Sequence, residues 1–374
     1  MIHPNRSMSG VTWSLRAALL ALSLFTIACP WAATVKPSSA GAISIAPCLM
    51  EPAGDSAVLL ALGLMYRMEY DRADSSFMSA LPAGSPGRAY FRGLNQFNRF
   101  NDRGDASSLS RAESLWSEVG AMEFRNSSSR SRIGSADFDS VNIALYRGLS
   151  TLQISYVANL TGHDLRAAHL GRKAAGQLRS LSDKAEAAAA LALYDYYKAA
   201  LLKGVDWIPF VKADAAGPLK RLEESLPKSR YLKEVLQTSL LWLYYDAGRY
   251  EEGLKMVDAF LVRFPTNRMY RQIQADFLYR RGVRKGNTAD LLAARDLHEV
   301  LKQEYTAVMT ACPLPSCIPI GYLSSVGNLA KIYGKLGSSD LRQKQVDIWS
   351  SSQFKGYLIW LPGSLRREVD SQRK

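Results

Sequence analysis

From about residue 54 onward, apolar residues recur at intervals of three and four, interleaved with Ala, Leu, Tyr and Arg, and almost no stretch alternates apolar with polar positions. That spacing is the period of a helix with one buried face, whereas a half-buried strand alternates at every second residue. The pattern therefore predicts an all-α protein. Clusters of Gly, Pro, Ser and Asn interrupt it at 82–86, 101–104, 126–135, 161–162, 226–227, 248–249, 265–267, 286–287 and 337–338. Residues of these types stop helices or favour tight turns, and the clusters bracket helices of about 15 to 22 residues.

The clearest unit runs from Glu234 to Asn267. Leu240, Leu241 and Tyr244 form the inner face of a first helix, Asp246-Ala247-Gly248-Arg249-Tyr250-Glu251-Glu252 makes a turn, and Leu254, Val257 and Leu261 carry a second helix that ends at Phe264-Pro265-Thr266-Asn267. The unit resembles a tetratricopeptide repeat, in which a Gly-x-Tyr-x-x-small turn and a closing proline recur about every 34 residues. Gly248 falls on the turn glycine, Tyr250 on the aromatic, Gly253 on the small residue and Pro265 on the closing proline. Gln237 and Phe260 depart from the pattern, since the family favours Trp and Ala there; this implies looser or differently angled packing. Weaker copies include Tyr70-Asp71-Arg72-Ala73 with Phe77 and Ala80, Ala330 with Tyr333 and Gly337, and Leu193 with Tyr197 and Gly204, the last followed by an insertion at 205–210. The resemblance covers most of residues 54–350 and is specific only near 234–267.

The resemblance implies an α-solenoid of TPR-like antiparallel helix pairs, because no pair buries its apolar face alone and each must stack on its neighbours. Such a stack forms a groove, and the family's groove-facing positions fall on Val235, Thr238, Trp242 and Tyr245. The aromatic pair would then contact an extended or helical peptide. By residue type alone, Trp and Tyr on a helix are more often core.

The first 33 residues contain Arg6 and Arg16, no acid, and the apolar run 17–28. That is the charged and apolar sequence of a signal peptide, too short to span a bilayer unless Pro30 and Trp31 join it. Thr26-Ile27-Ala28-Cys29 resembles a lipoprotein signal, with Thr in place of the usual Leu and Pro30 directly after the cysteine, which makes Cys29 the lipidation candidate. Residues 34–51, rich in Ala, Ser and Pro, read as a flexible tether, and residues 52–374 as the TPR-like repeat domain.

Composition adds compartment and charge. The 47 Lys and Arg outnumber the 34 Asp and Glu for a formal charge of +13, spread along the chain. The densest basic stretch is Arg268, Arg271, Arg280, Arg281, Arg284 and Lys285, opposed in sequence only by Asp276. It reads either as a solvated helix face or as a contact for anionic lipid, cell-wall polymer or an acidic protein. Of four cysteines, Cys312 and Cys317 flank a short proline-stiffened loop. They are a disulfide candidate in an oxidising compartment, with unpaired thiols the alternative; a metal site lacks further ligands nearby. Nucleotide, zinc-protease and hydrolase motifs are all missing from the sequence, so neither a catalytic residue, a metal site nor a cofactor is expected.

The sequence thus reads as a non-catalytic exported scaffold, periplasmic or membrane-tethered in the cell envelope, that holds an unidentified protein partner in its groove and binds no nucleic acid. The alternatives are a lipid-anchored outer-membrane assembly or cell-wall-associated factor, and an envelope enzyme carrying a helical superhelix; the latter would need a catalytic domain. If Cys29 carries lipid, Cys29→Ser will release the protein from membranes into the soluble fraction; unchanged fractionation with a mature N-terminus beyond residue 30 eliminates lipidation.

Overall fold

Helix, turn, helix is the unit from which the chain is built. The computed structural model describes residues 52–122, 135–202, 216–312, 317–358, 361 and 363–371. Segments 1–33 and 34–51, with Cys29 and Cys48, and the insertion at 205–210 lie outside the described residues. The described chain opens with α1 (Pro52–Tyr66), α2 (Tyr70–Ala80), α3 (Pro86–Arg103), α4 (Ala106–Ala121) and α5 (Ser135–Leu160). It continues through α6 (Asp164–Arg179), α7 (Ala185–Leu202), α8 (Ala216–Ser225), α9 (Lys233–Ala247) and α10 (Tyr250–Arg263). It closes with α11 (Arg268–Lys285), α12 (Thr288–Thr310), α13 (Ile320–Lys335), α14 (Ser339–Trp349) and α15 (Gly363–Asp370). No strand is present among the described residues, only a single antiparallel bridge between Asp105 and Cys317. The protein is all-α, with sequence-adjacent helices packed in pairs.

Five of the turns share one chemistry. At Met68, Gly162, Gly248, Gly286 and Gly337 the backbone enters the left-handed region, with φ between 65° and 78°. In each case the following N–H donates to the carbonyl five residues earlier: Glu69 to Leu64, His163 to Ala158, Arg249 to Tyr244, Asn287 to Gly282, and Ser338 to Tyr333. This bond satisfies a carbonyl that the helix end leaves unpaired, and a left-handed residue is the geometry that permits it. Four of the five are glycines. Met68 is the one non-glycine among the described residues at positive φ. The next helix is often capped by a side chain: Asp105 accepts from Ser107 N at 3.0 Å, Asn267 from Tyr270 N at 3.1 Å, and Asn287 from Ala289 N at 3.0 Å.

Two compact units emerge, one over residues 175–240 and the other from the described residues before 175 together with those after 240. In the first, α7 packs on α8 around Ala187, Ala190, Leu219 and Leu222, and Glu186 accepts the Arg230 N–H at 3.2 Å.

The second unit interlocks aromatic rings with glycines. A Cβ at Gly253 on α10 would lie 2.1 Å from the Phe277 ring of α11, so a glycine at this position is required by close approach. Gly321 on α13 is similarly seated on Tyr305 of α12, at 2.2 Å.

This unit also joins distant parts of the chain. Asn267 Nδ2 donates to the Tyr66 carbonyl at 2.7 Å, across 201 positions. Arg268 forms a two-pronged pair with Asp102 at 2.8 and 2.7 Å, and α3 packs on both α12 and α13. A linear repeat array has contacts only between neighbouring repeats; these are additional to it.

Two glycines of opposite environment test the packing. Gly253→Ala will lower stability by about 1 to 3 kcal/mol, because Phe277 has to move. Gly176→Ala, at an exposed helix position with nothing within 4 Å of the added methyl, will raise stability by about 0.5 to 1 kcal/mol. Urea denaturation midpoints moving in the same direction would contradict this account.

Candidate functional site

Trp242 and Tyr245 are three residues apart on α9 and so share a face. Their rings meet edge to face at 6.0 Å, and both side chains are half-buried. Tyr245 packs edge-on against Phe277 at 5.7 Å and faces Tyr250 at 6.3 Å. Its hydroxyl accepts from Arg280 Nε at 2.6 Å, and the Arg280 guanidinium lies 5.4 Å from its ring centre.

The same guanidinium reaches over Tyr279, and from there the line continues onto the next helices. Lys331 of α13 is only 3% exposed, with its Nζ 4.6 Å from the Tyr279 ring centre and 3.1 Å from Glu368 of α15. Beneath it, the Asp276 carboxylate accepts from Asn328 Nδ2 at 2.7 Å and stands 3.4 Å from Nε2 of the fully buried His298. The result is an aromatic and charged network within the second unit, in which Trp242, Tyr245, Arg280 and Glu368 are half-buried and Asp276, Tyr279, His298 and Lys331 are buried.

Burial sets the electrostatics of this network. It pushes the Tyr245 and Tyr279 hydroxyls above their ordinary range, aided by the carboxylates of Asp276 and Glu368 respectively. It pushes the Lys331 ammonium down, against the opposing pull of Glu368. For Arg280, burial acts against the charge but is outweighed by Tyr245 together with Glu368 and Tyr279, so its pKa rises.

The basic stretch on α11 is occupied by intramolecular pairing. Arg268 is held by Asp102; Arg271 pairs with Glu304 at 2.6 and 2.5 Å; Arg281 pairs with Asp290 at 2.7 Å and Glu251 at 2.8 Å. Lys285 also pairs with Glu251, and Arg284 donates to the Gly248 carbonyl at 3.1 Å. Asp276 is therefore not the only acid facing this stretch: four others come from α3, α10 and α12, where sequence distance hid them. Arg280 and Arg284 are the two of the six that form no ion pair among the described residues: Arg284 is held by the Gly248 carbonyl and Arg280 by the Tyr245 hydroxyl, with the charge of Glu368 also acting on Arg280.

Val235 and Thr238 lie earlier on α9, seven and four residues before Trp242, and are half-buried, with the Thr238 hydroxyl donating to the Glu234 carbonyl at 2.8 Å. Cys312 and Cys317 are joined as a disulfide, with Cα atoms 5.9 Å apart. Cys29 lies outside the described residues. Sequence reasoning missed Asp102, Asn328, Lys331 and Glu368. A signal existed for two of them: Ser324, Ser325, Asn328 and Lys331 recur at helical spacing as a polar stripe on the otherwise apolar α13. No helix among the described residues is long and apolar enough to cross a membrane.

No protein-family model matches this chain, and no curated protein matches it significantly.

The raised tyrosines define a pH dependence. Tyr245 and Tyr279, with Tyr70 and Tyr305 at the Arg268–Asp102 contact, are held protonated by burial. Their pKa values are higher in the folded state than in the unfolded one, so their contribution is complete below about pH 10 and is lost as pH rises through it. Melting temperature will fall progressively as pH rises above about 10, and Tyr70→Phe or Tyr305→Phe will make that fall shallower. A fall of unchanged slope in both variants would show that the fold does not hold these hydroxyls protonated.

Proposed function

We propose that this chain is a non-catalytic, exported scaffold of the cell envelope, built from TPR-like helix pairs in a solenoid arrangement, that holds a protein partner against the face carrying Trp242, Tyr245 and Arg280. In this reading α9, α11 and α13 are the first helices of successive pairs, the helices that line the groove of such repeats. The observation that carries the reading is the half-buried Trp242–Tyr245 pair beside the half-buried Arg280, whose guanidinium is held by the Tyr245 hydroxyl at 2.6 Å. Partly exposed Trp, Tyr and Arg side chains in contact are the residue types that dominate binding energy at protein interfaces. The repeated turn at Met68, Gly162, Gly248, Gly286 and Gly337 supports the helix-pair description. Export rests on the signal-like residues 1–33 and on a disulfide suited to an oxidising compartment.

The test uses Trp242→Ala on the full chain, first by thermal melting and then by capture from detergent-solubilised envelopes with mass spectrometry. The expected result is a small change in melting temperature and loss of a partner retained by the wild type, corresponding to about 2 kcal/mol or more of binding. Destabilisation of about 3 to 5 kcal/mol, the scale of a core cavity, would show that Trp242 is structural and would remove the proposed site.

A further inference from the structure

Beside the disulfide lies a cleft of about 370 Å³, lined by Arg99, Arg103, Arg268, Asp105, Val308, Ala311, Cys312 and Cys317. The two cysteines differ in access. Cys312, just past the C-terminus of α12, is half-buried, whereas Cys317 is 5% exposed. Cys317 is held by its main chain through the antiparallel bridge to Asp105, and the adjoining Ile318 backbone occupies the space where a side chain on Gly104 would stand.

The arginines are not equally neutralised. Arg268 is paired with Asp102, and Arg99 Nη1 with Asp71 at 2.6 Å. Arg103 lies 5.4 Å from the centre of the Tyr70 ring and, among the described residues, takes part in no ion pair.

From this geometry we infer that Cys312 is a site of thiol–disulfide exchange, at which an external thiol of the glutathione class opens the bond. The attacking thiolate forms a new S–S bond to Cys312 Sγ, the Cys312–Cys317 bond breaks, and its electron pair leaves on Cys317 as a thiolate. A proton from water completes that thiol, and a second external thiol releases Cys312 as the free thiol, the reagent leaving as its own disulfide. The direction follows from access, since Cys312 is the more exposed of the two cysteines in the cleft they share. Arg103 lines the same cleft as Cys317, and guanidinium charge there favours departure of the sulfur as a thiolate. Opening the bond leaves the fold standing, because the Arg268–Asp102 and Asn267–Tyr66 contacts do not pass through sulfur.

The experiment treats the full-length oxidised protein with reduced glutathione under native conditions, quenches with an alkylating reagent, and maps the peptides. The expected product carries glutathione on Cys312 and the alkyl group on Cys317, with circular dichroism unchanged. Arg103→Gln slows its formation several-fold while leaving the helical signal intact. The inference is overturned by glutathione on Cys317, by no adduct until denaturant is added, by an unchanged rate in Arg103→Gln, or by free thiols at both positions before treatment. Should Arg103→Gln fail to fold, Arg103→Lys takes its place: it keeps the charge and is expected to exchange at close to the wild-type rate, with a large loss of rate counting against the inference.

Discussion

The two-pronged ion pair between Arg268 and Asp102 joins residues 166 positions apart, and much of the second unit is arranged around it. Asp102 is near the end of α3 and Arg268 opens α11, so one contact positions an early helix against a late one. Both groups are largely withdrawn from water, with side-chain exposures of 7% for Asp102 and 18% for Arg268. A pair in such a place is stable only when both partners are present and hydrogen-bonded, since a lone buried charge costs about 3 to 5 kcal/mol. Arginine suits the position better than lysine would, because its planar fork satisfies both carboxylate oxygens at once. Asn267 next to it caps α11 with its side-chain oxygen and binds the end of α1 with its amide, so a helix start and a long-range contact share one residue.

The aromatic residues around this seam explain how it stays dry. Tyr66 packs on Phe264 at 5.5 Å, Phe260 stacks on Tyr270 at 4.3 Å, and the Arg268 guanidinium lies 5.6 Å from the Tyr305 ring centre. Excluding water strengthens the ion pair and raises the cost of ionising the tyrosines, which is why the same packing accounts for both the closure and the tyrosine protonation. Farther along α11, the Tyr245–Arg280–Tyr279–Lys331 group uses the same materials, with Tyr279 and Lys331 buried and Tyr245 and Arg280 half-buried. The Arg268 contact is filled by a carboxylate in direct contact, whereas Arg280 is held by the Tyr245 phenol.

Legibility in the sequence followed the range of the interaction. The all-α class, most helix bounds and four of the five left-handed turns could be read directly, because helical periodicity and turn glycines are set by residues a few positions apart. Met68 could not, since its left-handed backbone is imposed by the turn and is not requested by the side chain. Trp242 and Tyr245 were identifiable as a shared face, yet their connection to Arg280 was not, because α9 and α11 are separated by a whole helix. Lys331 and Asn328 were visible only as a polar stripe on α13 whose partners lay elsewhere.

By itself, then, the order of residues determined where helices begin, end and turn, and which residue types were available for chemistry. Only the tertiary structure decided what each charge meets. The arginines of 268–285 looked like an open basic surface in sequence, where Asp276 was their single opposing acid. In the fold, Asp102, Glu251, Asp290 and Glu304 arrive from three other helices to pair with them. The reason is physical: hydrogen bonding within a helix is local and is written at a spacing of three to five residues, whereas an ion pair depends on distance in space, which chain order does not specify.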